Sequence, residues 1–495
     1  MQHSYILAID QGTSSTKTLL FDEQGGVAAR ALEPLQTRYY GDGYVEQDPD
    51  EIYRNVLTSV GKCLGVFAAQ GGEFQSIRAC GISNQRETFV VWDQTGKPLY
   101  NALVWQCKRS IDVCERLKAE GLEEVVKAKT GLFIDPYFSG TKLIWLYENN
   151  ETVRQAVDAG TAYFGTVDTW LLYKLTNGQC YFTDYTNASR TLFFNLKTLD
   201  WDADLLAVFG LSRLNLPEPK PSAFGFGESN FNGLFDHQLP ITSLIGDSHA
   251  AAFGEGCFTS GTAKATLGTG CSIIMNIGPD LKESKQGMVT TVCWSTENRV
   301  DYALEGVIVT CGATIEWLKN SLNLFAESRE TEAMATAVSD NGGVYIVPAF
   351  SGLGAPHWQM SRRATISGLT FGSSKNHLVR AALESIPYQI KDVVVAMEQD
   401  TGVSLAELMV NGGLTSNGFV LQFLADLLHK PVINRRLPDI SAQGAAYLAG
   451  LKAGIYEDLA HLERLNSDRS AIEPGPGATQ ALADYAGWQT AILTT

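Results

Sequence analysis

The chain has 495 residues, 45% hydrophobic and 19% charged. This is ordinary globular composition at a length beyond which one core stops growing, so two domains are expected. The net charge of −16 argues against a nucleic-acid partner but not against a nucleotide whose phosphates are neutralised locally, and nine scattered cysteines without a C-x-x-C pair fit reduced thiols in a cytoplasmic protein.

Met1 to Tyr5 lacks a basic n-region and leads directly into a strand, so no signal peptide is expected. No apolar run reaches the ~20 residues of a membrane span. Ile6-Leu7-Ala8-Ile9-Asp10 enters a Gln11-Gly12-Thr13-Ser14-Ser15 turn, and Thr18-Leu19-Leu20-Phe21 leaves it, which predicts a hairpin. Gly12 permits the tight turn, while Thr13, Ser14 and Ser15 place donors on one concave tip suited to a phosphate. Asp10 at its edge suits Mg²⁺ held through water, or simply stabilises the turn.

Val27 to Leu32 reads as a third strand and Asp50 to Ala69 as a helix. Strands at Ile77 to Ile82 and Phe89 to Trp92 flank Ser83-Asn84-Gln85-Arg86-Glu87-Thr88. A helix is expected from Gln106 through Leu117, and another around Trp145 after the loop Asp135 to Lys142. Asp168 reads as a helix cap, and the Pro/Gly/Asn-rich stretch Leu216 to Gly233 as a surface excursion. Leu244-Ile245 then delivers Gly246-Asp247-Ser248-His249 and the small-residue run Ala250 to Gly254.

A boundary near residue 255 divides the chain into 1–255 and 256–495. The second part repeats the theme, with Gly268-Thr269-Gly270 between two strand-like runs, a strand Val300 to Leu304 and a helix Gly312 to Leu322. Leu408 to Val410 runs into Asn411-Gly412-Gly413-Leu414-Thr415-Ser416-Asn417, a turn expected to open a nucleotide-friendly helix N-terminus. Strand–helix alternation gives an α/β class. Two similar hairpins half a chain apart suggest a duplicated unit that clamps a triphosphate from both sides of a cleft. A complete Walker A loop, a G-x-G-x-x-G turn, zinc spacings and a G-x-S-x-G elbow are all missing.

Asp10-Gln11-Gly12-Thr13, Ser83 to Thr88, Val104-Trp105-Gln106-Cys107, Asp135 to Lys142, Gly165 to Trp170, Thr183 to Thr191, Gly268 to Cys271, Pro348 to Pro356 and Gly444 to Gly450 together resemble the FGGY carbohydrate kinases, in family order over essentially the whole chain. The resemblance implies two actin-like ATPase (ribonuclease H-like) domains with a catalytic cleft between them, and ATP-dependent phosphorylation of a small polyol. It implies a polyol pocket of Arg86, Glu87, Trp105, Tyr137, Asp247, Ser248 and Ser272, with Asp247 as general base. It further implies Mg²⁺ flanked by Asp10 and Asp247, phosphates met by Thr13, Ser14, Ser15, Lys17 and Thr269, and a nucleoside bordered by Gly312, Glu316, Gly413 and Asn417. A homo-oligomer, dimer or tetramer, is expected.

The chain departs from the family's glycerol-phosphorylating members at two pocket positions. They usually carry Gln where this chain has Ser248, followed by Gln in place of His249, and Phe in place of Ser272. The expectation is a glycerol-recognising end with room for a tetritol or pentitol, unless His249 fills the gap; His249 otherwise reads as structural, satisfying local hydrogen bonds. Ser229 to Gln238 carries no Arg or Lys, so sugar-bisphosphate regulation seen in some members is not expected. The alternatives are a ketose kinase of the same family, or a non-catalytic ATP-binding switch on the same scaffold.

Overall fold

The computed structural model describes residues 4–435, 438–467 and 470–494. The first hairpin forms from strands Tyr5–Gln11 and Ser15–Asp22, with Asp10 directly opposite Lys17, and Val27–Pro34 adds outside it. Ile6 to Ile9 are all buried, as a strand covered on both faces requires. On its other side Tyr5–Gln11 runs parallel to Ile77–Asn84, which runs parallel to Leu239–Gly246. Gln11, Asn84 and Gly246 therefore stand side by side at three carboxyl ends, where open α/β sheets bind ligands.

Helix Pro49–Ala69 begins with Pro in its first turn, and the Asp48 carboxylate accepts from the Asp50 amide at 2.9 Å. Its Ile52, Val56, Val60, Leu64 and Phe67 stripe packs on the sheet.

The second hairpin pairs Thr262–Leu267 with Cys271–Gly278. Arg299–Ile308 and Val289–Thr296 extend it on one side, and Glu407–Asn411 lies parallel on the other. The helix before Trp145 is Ser139–Asn149, and the one expected through Leu117 starts only at Ile111.

Two expectations are corrected. The stretch 216–233 is no surface excursion, because its strand Ala223–Ser229 lies between Leu239–Gly246 and Val289–Thr296 and joins both halves into one thirteen-stranded sheet. Phe226 and Phe231 are buried there; interleaved Gly, Pro and Asn mask this apolar payload in the sequence. Asp168 is not a cap: Thr166 precedes helix Val167–Leu175, and the buried Asp168 accepts from the Thr166 and Thr183 hydroxyls at 2.5 and 2.7 Å.

Helices Asp247–Glu255 and Ile440–Lys452 pack backbone to backbone, since a Cβ on Gly444 would stand 1.8 Å from the Ala250 carbonyl oxygen. The small-residue run after Asp247 serves this approach. Among the described residues no helix is long and apolar enough to cross a membrane.

Candidate active site

Asp10, Ser83, Arg86, Glu87 and Asp247 converge at the three parallel carboxyl ends. The Ser83 hydroxyl donates to Asp10 at 2.9 Å. Burial, then the neighbouring Asp247 carboxylate, pushes Asp10 up to about 6. Asp247 opens its helix and accepts from the Ser248 amide at 2.6 Å. Arg86 Nε lies 3.5 Å from Asp247. Gly246 is required for that approach, since a Cβ there would stand 2.8 Å from Arg86 Cγ.

The Arg86 guanidinium is gripped from the second half of the chain. Its Nη1 and Nη2 donate to the two oxygens of Glu305 at 3.0 and 2.8 Å. Arg190 Nη1 stands 2.7 Å from the same carboxylate, and Arg190 Nε donates to Glu87 at 2.6 Å. The Ser272 hydroxyl donates to Glu305 at 3.1 Å. Burial alone would raise the Glu305 carboxyl, but Arg190 and Arg86 hold it well below the ordinary carboxylate range. For Glu87 burial outweighs Arg190 and Arg86, and its carboxyl is raised.

Glu87 sits at φ +58 with the Thr88 amide bonded to the Arg86 carbonyl at 2.6 Å, a γ-turn in the disfavoured hand. Such strain persists only where neighbours over-determine it; here Arg190 and the Ser139 hydroxyl, which donates to the Glu87 carbonyl at 2.8 Å, do so.

Trp105 and Tyr137 meet edge to face at 5.6 Å, and the Trp105 indole donates to the Thr13 hydroxyl at 2.9 Å. The aromatic pair thus touches the turn of the first hairpin. Lys142, fully buried, donates to the carbonyls of Pro136, Tyr137 and Phe138 at 2.6, 2.7 and 2.9 Å and fixes the Tyr137 loop.

Around the hairpins, the Gly12 amide bonds the Ser15 carbonyl at 2.9 Å and leaves Ser14 exposed at the tip. Lys17 is tied to Asp439 at 2.7 Å. Thr269 is exposed, and its carbonyl accepts from the Cys311 and Ala313 amides at 2.9 and 3.1 Å, docking helix Gly312–Asn320 on the second hairpin. A cavity of about 650 Å³ is lined by Asn411, Gly412, Gly413, Thr415, Ser416, Asn434 and Pro438.

Of the residues expected at the nucleoside, only Gly413 lines that cavity. Glu316 is exposed and accepts from Asn320 and Ser328, each at 3.3 Å. The helix N-terminus expected after Asn411 to greet a nucleotide is already filled. Asn417 caps helix Gly418–Leu428 by accepting from the Val420 amide at 3.1 Å, and Glu332 takes the Gly418 amide at 3.1 Å.

His249 also differs from expectation. It is fully buried, and neither ring nitrogen has a hydrogen-bond partner. Burial, then Arg86, holds it neutral. Nor does the sequence reading single out Arg190, Lys142 or Glu305, nor Lys264, which is buried in strand Thr262–Leu267 and donates to the Thr266 hydroxyl at 3.0 Å. Glu305 carried a signal, as a lone acid inside the apolar run Tyr302 to Val309, and Lys264 likewise interrupts its strand.

Paired hairpins on one sheet, two juxtaposed aspartates and a polar pocket walled by both halves define an actin-like, two-domain phosphotransferase. The chain belongs to the FGGY family of carbohydrate kinases: the family's N-terminal domain matches residues 5–254 and its C-terminal domain residues 263–453. It is 47% identical to a glycerol kinase of Carboxydothermus hydrogenoformans over 99% of this chain and 98% of that one. A glycerol kinase of Petrotoga mobilis is 46% identical over 99% and 97%. The crystal structure of Plasmodium falciparum glycerol kinase with ADP superposes with a TM-score of 0.94 at 34% identity, covering 100% of this chain and 98% of that one.

Proposed function

We propose that this kinase transfers the γ-phosphoryl group of ATP to a terminal hydroxyl of glycerol or a closely related polyol, with Asp247 as general base. The observation that carries the reading is a contrast in burial. Glu87 and Glu305 are sealed, at 1% and 0% side-chain exposure, whereas Asp247 beside them is 35% exposed. Of these three it is the carboxylate most open to an incoming hydroxyl. Arg86 and Glu87 offer the donor and acceptor that a polyol needs, and Trp105 and Tyr137 cover its carbons. Transfer forms the bond from substrate oxygen to phosphorus, breaks the β–γ bridge and passes the hydroxyl proton to Asp247. Because the transition state is loose, positioning and charge neutralisation contribute most.

Asp10 and Asp247 fit Mg²⁺: two carboxylates close enough that the charge of Asp247 helps raise Asp10, the number the ion takes when it keeps its water. Bound there, the ion would neutralise the phosphates. Ser14, Ser15, Thr13 and Thr269 at the two hairpin tips are read as phosphate contacts, with Lys17 joining them on leaving Asp439. Gly413, with Gly312, Glu316 and Asn417 near it in the chain's second half, is read as bordering the nucleoside. We take 1–255 and 256–495 as the closing halves, a division supported by the family domains meeting between residues 254 and 263. A cytoplasmic homo-oligomer belongs to the same reading.

The test is ADP release over glycerol, tetritols, pentitols and ketoses, with Asp247→Asn as control. Turnover dependent on glycerol and lost in the variant supports the reading. ATP hydrolysis indifferent to every polyol overturns it in favour of a switch.

A further inference from the structure

A second cavity, of about 540 Å³, adjoins the polyol pocket and shares Tyr137, Arg190 and Glu305 with it. Its size falls in the ~300–1,000 Å³ range of small-molecule sites. The strand register shows how the two spaces share a wall. Ser272 stands directly opposite Val307, and alternation puts Glu305, Val307 and Val309 on one face. The face that presents Ser272 to Glu305 in the pocket thus continues as the wall of the cavity.

Beyond that junction most of the lining is apolar, with Phe133, Phe138, Val289, Val307, Val309 and Trp358, and Lys118, Glu123 and Asp135 also reach the wall. Phe133 from the first half and the half-exposed Trp358 from the second meet at 5.6 Å and form the rim. Arg190 and Glu305 are engaged with each other and with Glu87 and Arg86. Extra hydroxyls entering here would exchange water for hydrocarbon, at a cost unless they find partners. Methylenes would gain.

We propose that this cavity is an acceptor subsite for a short apolar substituent on the non-reacting end of a glycerol unit, so that alkyl ethers of glycerol are phosphorylated as well as glycerol. The inference rests on the polyol-kinase reading above, and the chemical step is the same: the free terminal hydroxyl forms the new O–P bond, ADP leaves with the β–γ oxygen, and the proton passes to Asp247. Only the passive end differs.

The experiment measures ADP release from ATP and Mg²⁺ with glycerol, ribitol and 3-methoxy-, 3-propoxy- and 3-hexyloxypropane-1,2-diol. The expected result is kcat/KM rising with chain length by up to roughly fourfold per methylene, with ribitol behind the propoxy compound. Val307→Phe should erase that rise while leaving glycerol within threefold. Glycerol turnover without a gain along the ether series, or ribitol ahead of the ethers, overturns the subsite alone. No turnover of any diol or polyol overturns the kinase reading and the subsite with it. The wild-type series decides the matter even if the Val307 variant fails to fold.

Discussion

Arg86 and Glu305, 219 positions apart in sequence, form two parallel hydrogen bonds of 3.0 and 2.8 Å in the floor of the cleft. One belongs to each half of the chain, so the guanidinium that is read as holding the polyol is aimed by a residue from across the cleft. A fork-to-fork pair of this kind fixes direction as well as charge. Glu305→Gln leaves Arg86 and Arg190 buried around a neutral amide, and breaking a buried pair costs about 3–5 kcal/mol. We expect a fall in Tm together with a glycerol KM raised at least tenfold. A purely structural role predicts the Tm loss with an unchanged KM in the folded fraction.

Asp247→Asn keeps the shape of the side chain but removes the carboxylate proposed as proton acceptor. General bases contribute about 10²–10⁴-fold, and kcat should fall within that range while glycerol binding measured by calorimetry changes little. An Asn variant retaining more than a tenth of wild-type kcat would remove Asp247 from the chemistry.

The alternation of strands and helices and the two hairpins were legible because apolar runs stop there at polar turns, whereas Arg86, Glu87, Trp105, Tyr137 and Asp247 were reached through the resemblance to the family. Ala223–Ser229 was not legible, since Gly225 and Gly227 on either side of Phe226 imitate a loop. Arg190 and Glu305 were hidden for another reason. Their meaning lies in meeting each other across more than a hundred residues, and a single chain read in order does not display such pairings. Asn417 shows the converse, a local cap signature that occupies the donors a nucleotide would want.

Asp10 sets an acidic limit. Its carboxyl titrates near about 6 rather than at the ordinary 3.8, chiefly through burial and then through Asp247. An acid whose pKa is raised by folding contributes stability that is present below 3.8 and lost as pH rises through about 6. A cation shared with Asp247 offsets that loss. The Mg²⁺ concentration for half-maximal activity should therefore rise as pH falls below about 6, and added Mg²⁺-ATP should raise Tm more at pH 7.5 than at pH 5. Asp10→Asn should abolish the pH dependence of the Mg²⁺ requirement. If the requirement stays flat from pH 5 to 8 in the wild type, Asp10 does not serve the metal.

Lys142 sets an alkaline one. Three ammonium hydrogens meet three carbonyls of the loop that carries Tyr137, a match in number that a neutral amine with two hydrogens cannot keep. Burial first, opposed by Glu87, lowers this group to about 8 from 10.5. A base depressed by folding imposes a cost at neutral pH that is relieved as pH rises from about 8 to 10.5, so global stability gains slightly over that window. The loop does the opposite, because one carbonyl loses its donor. Glycerol KM should climb above pH 8 with kcat nearly constant, since the reacting hydroxyl is assigned in the proposal above to Asp247. Lys142→Met should show the raised KM at pH 7 and no further rise at pH 9, and Lys142→Arg should restore part of the affinity. A KM that still climbs above pH 8 in the Met variant would assign the alkaline limb to another group.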